Sequence, residues 1–243
     1  MDDLRPAFYA ASAGAWRDWW TLLHPPYTLW HLSYVAIGWA LAPGGDVAKL
    51  VASLAAFFLA VGIASHALDE LKGRPLQTNI SDSALWTAAI VALAGAMSLG
   101  LIGVFGGATV LIPLIAMGAF AVVAYTLEIF GGMFHSDRAF GFFWGAFPLL
   151  TAYAAASGTV RPACIAASVW AYGLSLAQRG LSTPARRIRR KTRSIEGVIT
   201  FTDGASETIQ TDTILRPLEG ALKALSWSVF ALATALVWAR LAL

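Results

Sequence analysis

The sequence His66-Ala67-Leu68-Asp69-Glu70-Leu71-Lys72-Gly73-Arg74-Pro75-Leu76 ends an apolar run that begins at Val47. It places an imidazole, carboxylates and cations where a long apolar helix would leave a lipid bilayer. Asp69 and Glu70 follow His66 at i+3 and i+4, so all three share one helix face. An imidazole and carboxylates at this spacing can bind a divalent metal ion. The same pattern is also typical of a polar helix end that reaches the membrane surface.

The composition indicates an integral membrane protein. Of the 243 residues, 58% are hydrophobic and 13% are charged, and the mean hydropathy is +0.65. A soluble domain has about a quarter of its residues charged. The single cysteine, Cys164, excludes an internal disulfide and a cysteine-based metal cluster. We expect a membrane lipid rather than a nucleic acid as partner, and the sequence leaves the oligomeric state open.

Seven apolar segments are long enough, or nearly long enough, to cross a bilayer. A helix needs roughly 20 residues to cross about 30 Å of hydrocarbon, and the first, fifth and sixth segments are slightly shorter. The sequence therefore predicts an all-α, polytopic membrane helix bundle with about seven transmembrane helices, six or eight being the alternatives. The segments are Tyr27–Ala42, Val47–Leu68, Ala84–Val104, Ala108–Leu127, Phe140–Ser157, Ala163–Ala177 and Leu218–Leu241.

The basic residues predict the orientation of these segments. Of the 17 Lys and Arg residues, all but Lys49, Arg161 and Arg240 fall in one set of loops. Loops rich in Lys and Arg stay in the cytoplasm. We therefore expect a multi-pass protein of the cell membrane whose N-terminus and polar turns are cytoplasmic.

Residues 1–26 are predicted to form an amphipathic helix on the membrane surface, and residues 27–243 to form the transmembrane domain. Four apolar side chains recur at helical spacing: Trp16, Trp19, Trp20 and Leu23. Trp favours the headgroup level of a bilayer. A helix docked on a soluble partner is the alternative. His24-Pro25-Pro26 then ends the helix and turns the chain into the membrane.

Residues 178–217 are predicted to form the main soluble piece, a cytoplasmic basic loop followed by a small β-hairpin. The run Thr183-Pro184-Ala185-Arg186-Arg187-Ile188-Arg189-Arg190-Lys191 either touches anionic lipid or binds a phosphate or diphosphate group. Two β-rich runs flank Asp203-Gly204, which is a hairpin signal. Because a two-stranded hairpin alone is marginally stable, we expect it to rest on the cytoplasmic mouth of the bundle.

A second polar turn follows the fourth apolar segment. It contains Tyr125, Glu128, Gly131-Gly132, His135, Asp137 and Arg138. We hypothesise that the two turns face each other and form a site for one Mg²⁺ or for a transition metal. Mg²⁺ prefers oxygen ligands and bridges phosphates, whereas the histidines favour a softer ion, and the sequence does not decide between them. Aromatic residues in the next segment either shelter a long apolar ligand chain or simply pack.

These features resemble those of the UbiA superfamily of intramembrane prenyltransferases, over roughly residues 24–195. His24-Pro25-Pro26-Tyr27-Thr28 resembles the family's entry into its first helix. Ser65-His66-Ala67-Leu68-Asp69 lies where the family has Asn-Asp-x-x-Asp, and Arg74-Pro75-Leu76 matches the Arg-Pro-Leu that follows. Two stretches resemble the connection between the family's fourth and fifth helices: Tyr125-Thr126-Leu127-Glu128 and Trp144-Gly145-Ala146-Phe147-Pro148.

The chain departs from the family at three points. Ser65 and His66 stand where the family has an asparagine and an aspartate. Residues 177–187, at the expected second Asp-rich motif, contain arginines and no aspartate. About two of the family's usual nine or so helices are missing. The chain thus resembles a truncated, divergent member that lacks the second motif.

The resemblance implies a chemistry and, together with the two turns, a set of site residues. In that family, Asp-rich motifs hold Mg²⁺ ions that bind a polyprenyl diphosphate, which ionises to an allylic cation and alkylates an acceptor. The predicted catalytic residues are Asp69, Glu70 and Glu128. The predicted metal ligands are His66, Asp69, Glu70 and His135. The predicted substrate-binding residues are Arg74, Tyr125, Arg138, Arg179, Arg186 and Arg187.

Three functions follow from these predictions. The first is a UbiA-like intramembrane transferase acting on a polyprenyl diphosphate or related isoprenoid lipid. The second is a non-catalytic isoprenoid- or lipid-binding protein derived from that family. The third is a membrane metalloenzyme that uses His66, Glu70, Glu128 and His135. A transporter is less favoured, because the apolar segments lack charged residues near their middles.

Overall fold

The structure is a computed structural model that describes residues 6–11 and 14–242. The described chain is mostly α-helical, with one small antiparallel sheet. The helices are α1 (Ala15–Leu22), α2 (Pro25–Leu41), α3 (Val47–Phe57), α4 (His66–Leu71), α5 (Asp82–Phe105), α6 (Leu111–Thr126), α7 (Asp137–Phe140), α8 (Phe147–Ser157), α9 (Pro162–Lys191) and α10 (Thr211–Leu241). The strands are β1 (Gly197–Thr200) and β2 (Ser206–Ile209).

Four helical stretches of the described chain are long and apolar enough to cross a membrane. They are Val47–Leu71, Asp82–Phe105, Asp137–Ser157 and Thr211–Leu241, and Leu111–Thr126 is a shorter apolar helix. Helix α5 leaves large apolar side chains uncovered, with Phe105 87% exposed and Ile90 and Val91 also exposed. Such a surface suits contact with lipid tails, which agrees with the prediction of a membrane protein.

Two of these stretches contain π-helical segments. Phe58–Ser65 joins α3 to α4, and Gly141–Ala146 joins α7 to α8. The first segment leads directly to His66, and the second contains Trp144, whose carbonyl oxygen lies 2.7 Å from the Nδ1 of His31. Single π-helical turns within α-helices are frequent at functional sites.

Helix α2 lies at the centre of the bundle. It contacts α3, α8, α9 and α10, and its aromatic residues Trp30, Tyr34 and Trp39 are buried. The glycine Gly38 allows the close contact with α8, because a Cβ there would lie 2.2 Å from the backbone oxygen of Leu149. At the far end of α10, the Arg240 guanidinium donates to backbone carbonyls of the turn between α2 and α3 and stacks on Trp39.

The predicted loop at residues 178–217 is wrong in its first part. Helix α9 continues without interruption to Lys191, through Pro184, and α10 already begins at Thr211. The Ala, Leu and Arg residues of this run favour a helix. Ala185 and Ile188 of α9 also pack against Leu215 of α10, so the two helices stabilise each other beyond the apolar spans.

The predicted hairpin is confirmed, but its expected support is not seen. Strands β1 and β2 pair antiparallel, from Gly197 opposite Ile209 to Thr200 opposite Ser206. Nearly all of their residues are exposed, including Val198. Within the described part of the chain the hairpin therefore stands away from the bundle and does not cap it.

The predicted surface helix is shorter than residues 1–26. Helix α1 covers Ala15–Leu22 and exposes Trp16 (70%) and Trp20, as a helix on a membrane surface would. The preceding residues 6–11 are not helical and pack against α9 and α10. The rest of the prediction falls on residues 1–5 and 12–13, which lie outside the described residues.

We expect Gly38→Ala to destabilise the protein by about 1–3 kcal/mol, because the new methyl group meets backbone atoms of Leu149 that cannot move aside. Thermal unfolding in mild detergent measures the change. Gly173→Ala in α9 is the matched control, since a Cβ there meets nothing within 4 Å. A Gly38→Ala protein that unfolds at the wild-type temperature would contradict the close packing of α2 on α8.

Candidate polar site at one end of the bundle

The two polar turns lie next to each other, as predicted from the sequence. The Lys72 ammonium pairs with the Glu128 carboxylate at 2.5 Å (Nζ to Oε2). Closer to the bundle interior, the buried hydroxyl groups of Ser65 and Thr126 are 3.0 Å apart. The hydrogen bond from Lys72 lowers the pKa of Glu128. We call this end of the bundle the polar end.

Glu70 folds the loop after α4. Its side chain is fully buried, and its carboxylate accepts hydrogen bonds from the backbone N–H groups of Leu76 and Thr78 and from the Thr78 hydroxyl, each at 2.9 Å. The loop contains residues with positive φ, Arg74 at 52° and Gln77 at 57°, which are costly conformations for side chains of this kind. Glu70 therefore holds a strained loop. Both of its carboxylate oxygens are used by that loop, so these contacts do not support its predicted catalytic and metal-binding roles.

Arg74 serves the same loop. Its guanidinium donates to the Ile80 carbonyl at 2.5 Å and pairs with the Asp82 carboxylate at the start of α5. The predicted role of Arg74 in binding substrate gains no support from these contacts. Asp18 of α1 accepts from the backbone of Asn79 at 3.0 Å, which fastens α1 to the same loop.

The second turn brings His135 onto Tyr125. Their rings stack with centroids 4.5 Å apart, and the His135 Nδ1 lies 3.0 Å from the Tyr125 carbonyl oxygen. Glu128 adopts a φ of +50°, and Gly131 and Gly132 also have positive φ, which lets the backbone turn sharply here. Tyr125 is buried and approaches Trp144 edge-on at 5.5 Å.

All four histidines of the chain lie at the polar end. His24 precedes α2, and its Nδ1 is 2.5 Å from the Tyr9 hydroxyl. Its ring stacks on that of His66 with centroids 4.2 Å apart. Burial, and secondarily the neighbouring His66, Arg190 and Arg186, lowers the pKa of His24 well below its usual range. The neutral ring is therefore the stable form at pH 7.

Sequence reasoning missed His31 of α2, which is buried and faces Trp144 of the π-helical segment Gly141–Ala146. Its Nδ1 lies 2.7 Å from the carbonyl oxygen of Trp144. This carbonyl is free because Pro148, four residues later, has no N–H group to donate. If His31 donates this bond, its Nε2 carries the lone pair. A proline four residues after an aromatic residue, with a histidine in a facing segment, was the signal available in the sequence.

The arginines of α9 divide into paired and unpaired groups. Arg179 pairs with Asp137 at 3.0 Å and lies over the Phe140 ring, and Arg189 pairs with Glu219. Arg186 has no hydrogen bond or ion pair with any described residue. Arg190, which the sequence placed in the basic run but not among the substrate-binding residues, donates to the Pro6 carbonyl at 3.1 Å and forms no ion pair with a described residue.

The remaining predicted arginines lie apart from this group. Arg187 and Arg138 are exposed at the surface. The spacing of Arg186 and Arg190, four residues apart on one helix, puts both on the face of α9 that looks into the bundle. That spacing becomes readable only once residues 178–191 are known to be helical.

Asp69 faces these unpaired arginines. Its carboxylate has no hydrogen bond or ion pair with any residue that the structure describes. The charges that act on it most strongly are those of Arg186 and Arg190, followed by His135. An acid and two arginines therefore share this part of the interior without direct pairing.

Three buried polar atoms at the polar end also lack a hydrogen-bond partner among the described residues. They are the His24 Nε2, the Tyr125 hydroxyl and the Gln178 Oε1. Gln178 lies one helical turn beyond Ser175, whose hydroxyl donates to Tyr34 of α2 at 3.1 Å. A buried polar atom without a partner costs about 1–3 kcal/mol, so three of them at one end indicate a place for a polar ligand or water. We define the polar cluster as Tyr9, His24, His66, Asp69, Tyr125, Gln178, Arg186 and Arg190.

A large apolar cavity begins beside the polar cluster. It has a volume of about 690 Å³ and lies between α3, α5, α6 and α8. Trp144, Val61 and Val122 line its inner end, and Trp144 contacts both Tyr125 and His31. The cavity extends along α3 to Asp46, a distance of roughly 22 Å at 1.5 Å per residue. A long apolar chain fits this shape.

The side chains at the polar end that could bind a metal ion offer one unused carboxylate and no complete set of ligands. Within the described residues, no three His, Cys, Asp or Glu side chains come close enough to hold one together. His66 stacks on His24, His135 stacks on Tyr125, and Glu70 is used by its loop. Asp69 is the one predicted ligand whose carboxylate is unused. Mg²⁺ can be bound by one or two carboxylates together with substrate phosphates, so Asp69 fits a single Mg²⁺ held jointly with a phosphorylated ligand.

No protein-family model matches the chain, and neither the comparison with curated proteins nor that with solved structures finds a significant match.

We expect Glu70→Gln to destabilise the protein by about 1–3 kcal/mol, because the amide nitrogen would meet a backbone N–H donor where an oxygen now accepts. Thermal unfolding in detergent checks this. Glu128→Gln is the control: it removes an acid that is 40% exposed, and we expect a smaller change, of about 1 kcal/mol or less. Equal effects of the two changes would contradict the buried role of Glu70.

The lowered pKa of His24 predicts a dependence of stability on pH. As pH falls through about 6.5, the unfolded histidine binds a proton that the folded one refuses, so the folded state loses stability. We expect wild-type stability to drop between pH 7.5 and 5.5, by up to about 1.4 kcal/mol per pH unit from this residue. His24→Asn should lose less over the same interval, since Asn tolerates the left-handed backbone there and does not titrate. Identical pH profiles for the two proteins would refute the assignment.

Proposed function

We propose that the chain is a UbiA-like intramembrane protein that binds a polyprenyl diphosphate or a related isoprenoid lipid and transfers its prenyl group. The observation that carries the proposal is that the polar cluster and the apolar cavity adjoin. The polar cluster holds an acid and two arginines that form no ion pair, and Trp144 separates it from the inner end of a long apolar cavity. A ligand with an anionic head and a long apolar tail matches both.

The proposal includes seven crossings with the polar end in the cytoplasm. Helices α2, α6 and α9 pack within the same bundle as the four stretches that are long and apolar enough to cross. The polar end carries most of the Lys and Arg residues, among them those of α9 up to Lys191. The positive-inside rule then places that end in the cytoplasm.

The head of the ligand would lie against α9. Arg186 and Arg190 supply guanidinium groups, which bind phosphate oxygens through paired N–H donors. Their positive charge takes the position that the second Asp-rich motif and its metal have in the resembling family. Asp69 would hold a Mg²⁺ shared with the diphosphate, and such an ion neutralises charge on the leaving group.

The tail would enter the apolar cavity past Trp144. The aromatic rings at this inner end of the cavity would exclude water from the bond between the prenyl C1 atom and the diphosphate oxygen. When this bond breaks, the electron pair leaves with the diphosphate, where Arg186 and Arg190 stabilise the charge. The ring faces of Trp144 and Tyr125 stabilise the allylic cation by cation–π contact. The acceptor closes the reaction by supplying an electron pair to C1 and losing a proton.

A non-catalytic lipid-binding protein is the second candidate. One observation favours it, namely that Asp69 is the one unused carboxylate among the predicted catalytic residues at the cluster. Glu128 is paired with Lys72, and Glu70 holds its loop. The metalloenzyme hypothesis has no matching group of ligands in the part of the chain that the structure describes.

Lipids bound to the gently extracted protein test the binding step. We expect mass spectrometry to find a polyprenyl phosphate or diphosphate. Arg186→Gln should weaken its retention about 10- to 100-fold, because a charged hydrogen bond of about 1.5–3 kcal/mol is lost. Arg187→Gln is the matched control, one residue away and exposed. Equal losses in both variants would point to surface charge and not to the polar cluster.

Release of pyrophosphate separates the two candidates. With Mg²⁺ and prenyl diphosphates of several lengths, the transferase releases pyrophosphate, and Asp69→Asn abolishes the release while the lipid stays bound. A protein that retains lipid but releases no pyrophosphate with any donor or acceptor is the non-catalytic form. If the protein carries no bound isoprenoid and releases no pyrophosphate, the proposal is overturned.

A further inference from the structure

The segment Pro6–Ala11 contributes Tyr9 to the polar cluster and packs against its residues His24 and Arg190. Its residues Ala7 and Ala10 are buried, although the segment is not helical. The Phe8 ring lies under the Lys223 ammonium of α10 at 5.0 Å. The backbone N–H of Ala11 donates to the Thr21 hydroxyl of α1 at 3.0 Å. The segment is therefore fixed at both sides of the cluster.

The same segment uses groups that would otherwise bind an anion. The Pro6 carbonyl oxygen accepts from the Arg190 Nε at 3.1 Å, and the Tyr9 hydroxyl contacts the His24 Nδ1. A carbonyl oxygen is a neutral acceptor, whereas an arginine pairs most strongly with a charged oxygen. Pro6 thus occupies Arg190 without neutralising it.

The space between the segment and α9 is too small for a phosphate group. Tyr9, Tyr27, Arg186 and Arg190 line a cavity of about 10 Å³. A space of this size holds about one water molecule. An anion can reach both arginines only after the segment moves away.

The electrostatics favour such an exchange. Burial lowers the pKa of Arg186, and the like charge of Arg179 lowers it further. Arg190 lies close enough to add to this repulsion. A group with two negative charges would relieve the repulsion between these arginines, which the Pro6 carbonyl cannot do.

We propose that a phosphate or diphosphate group binds Arg186 and Arg190 in exchange for the segment Pro6–Ala11, which closes the site when no anion is present. This inference rests on the proposed function, because it concerns the same head-group site. The segment is then a competitor of the ligand's own head group. Its contacts with Arg190 and His24 set how much of the ligand's binding energy is used to open the site.

Cysteine labelling tests the exchange. Cys164, the sole cysteine, is fully buried, so a cysteine introduced at Ala7 is the one expected target of a maleimide. In detergent with Mg²⁺, inorganic pyrophosphate should accelerate the labelling of Ala7→Cys about tenfold, as the open form rises from about 1% to about 10%. Farnesyl diphosphate forms a second arm. Acceleration at lower concentration than with pyrophosphate identifies a lipid-borne head, and equal concentrations identify the free anion; either supports the exchange.

Matched variants show where the anion acts. In the Ala7→Cys background, Arg186→Gln should abolish the acceleration, and Arg187→Gln should leave it intact. Tyr9→Phe removes the hydrogen bond to His24 and should raise the labelling rate without any anion. A cysteine at Ala15, which is exposed, should react at the same rate with and without pyrophosphate. Ala10→Cys, at a second buried position, replaces Ala7→Cys if that variant does not fold.

The outcomes separate this inference from the proposed function. If pyrophosphate binds by calorimetry but leaves labelling of both cysteine variants unchanged, the exchange is wrong and the head-group site stands. If acceleration persists in Arg186→Gln and Arg190→Gln, the exchange is wrong because the anion acts elsewhere. If neither probe binds, the head-group site of the proposed function fails together with the exchange.

Discussion

Polar groups inside an apolar helix bundle must find hydrogen-bond partners within the protein, because bulk water does not reach them and lipid tails offer none. Most of the interior polar groups obey this constraint through hydrogen bonds or ion pairs with other groups of the protein. Glu70 is saturated by three donors, and His31 meets the one carbonyl that Pro148 leaves free. The exceptions therefore carry information. Five buried side-chain atoms of the described residues lack a partner, and those of Thr151 and Ser168 lie outside the polar cluster. The other three, on His24, Tyr125 and Gln178, lie together at the polar end.

The constraint explains which parts of the molecule the sequence could predict. Hydrophobic length indicated a membrane protein, although four of the described helical stretches, and not seven, are long and apolar enough to cross. The Asp-Gly turn predicted the hairpin at its observed place. The two polar turns were predicted to meet, and Lys72 and Glu128 join them. These features depend on local pattern and on the side of the membrane where a charge prefers to lie.

Features that depend on which partner a polar side chain finds were not predictable from local pattern. Glu70 and His66 share a helix face in the sequence, yet Glu70 turns to its own loop while His66 stacks on His24. Arg190 lies beside Arg186 on one face of α9 only because α9 continues through Pro184. Packing of α9 on α10 there outweighs the helix-breaking effect of the proline. The segment Pro6–Ala11 has no periodicity that indicates burial. One of the contacts that fix its position comes from Arg190, about 180 residues away.

The two π-helical segments make the polar end sensitive to the length of the chain. Each residue of an α-helix turns the chain by about 100°. A π-helical turn accommodates an added residue without breaking the helix, so the faces before and after it are out of phase. Phe58–Ser65 sets in this way which side of the helix carries His66 and Asp69, and Gly141–Ala146 does so for Trp144. The orientation of these side chains thus depends on the number of residues in each π-helical segment as much as on residue identity. A relative that keeps His66, Asp69 and Trp144 but lacks one residue in either segment would direct the side chains after the deletion to another side of the helix.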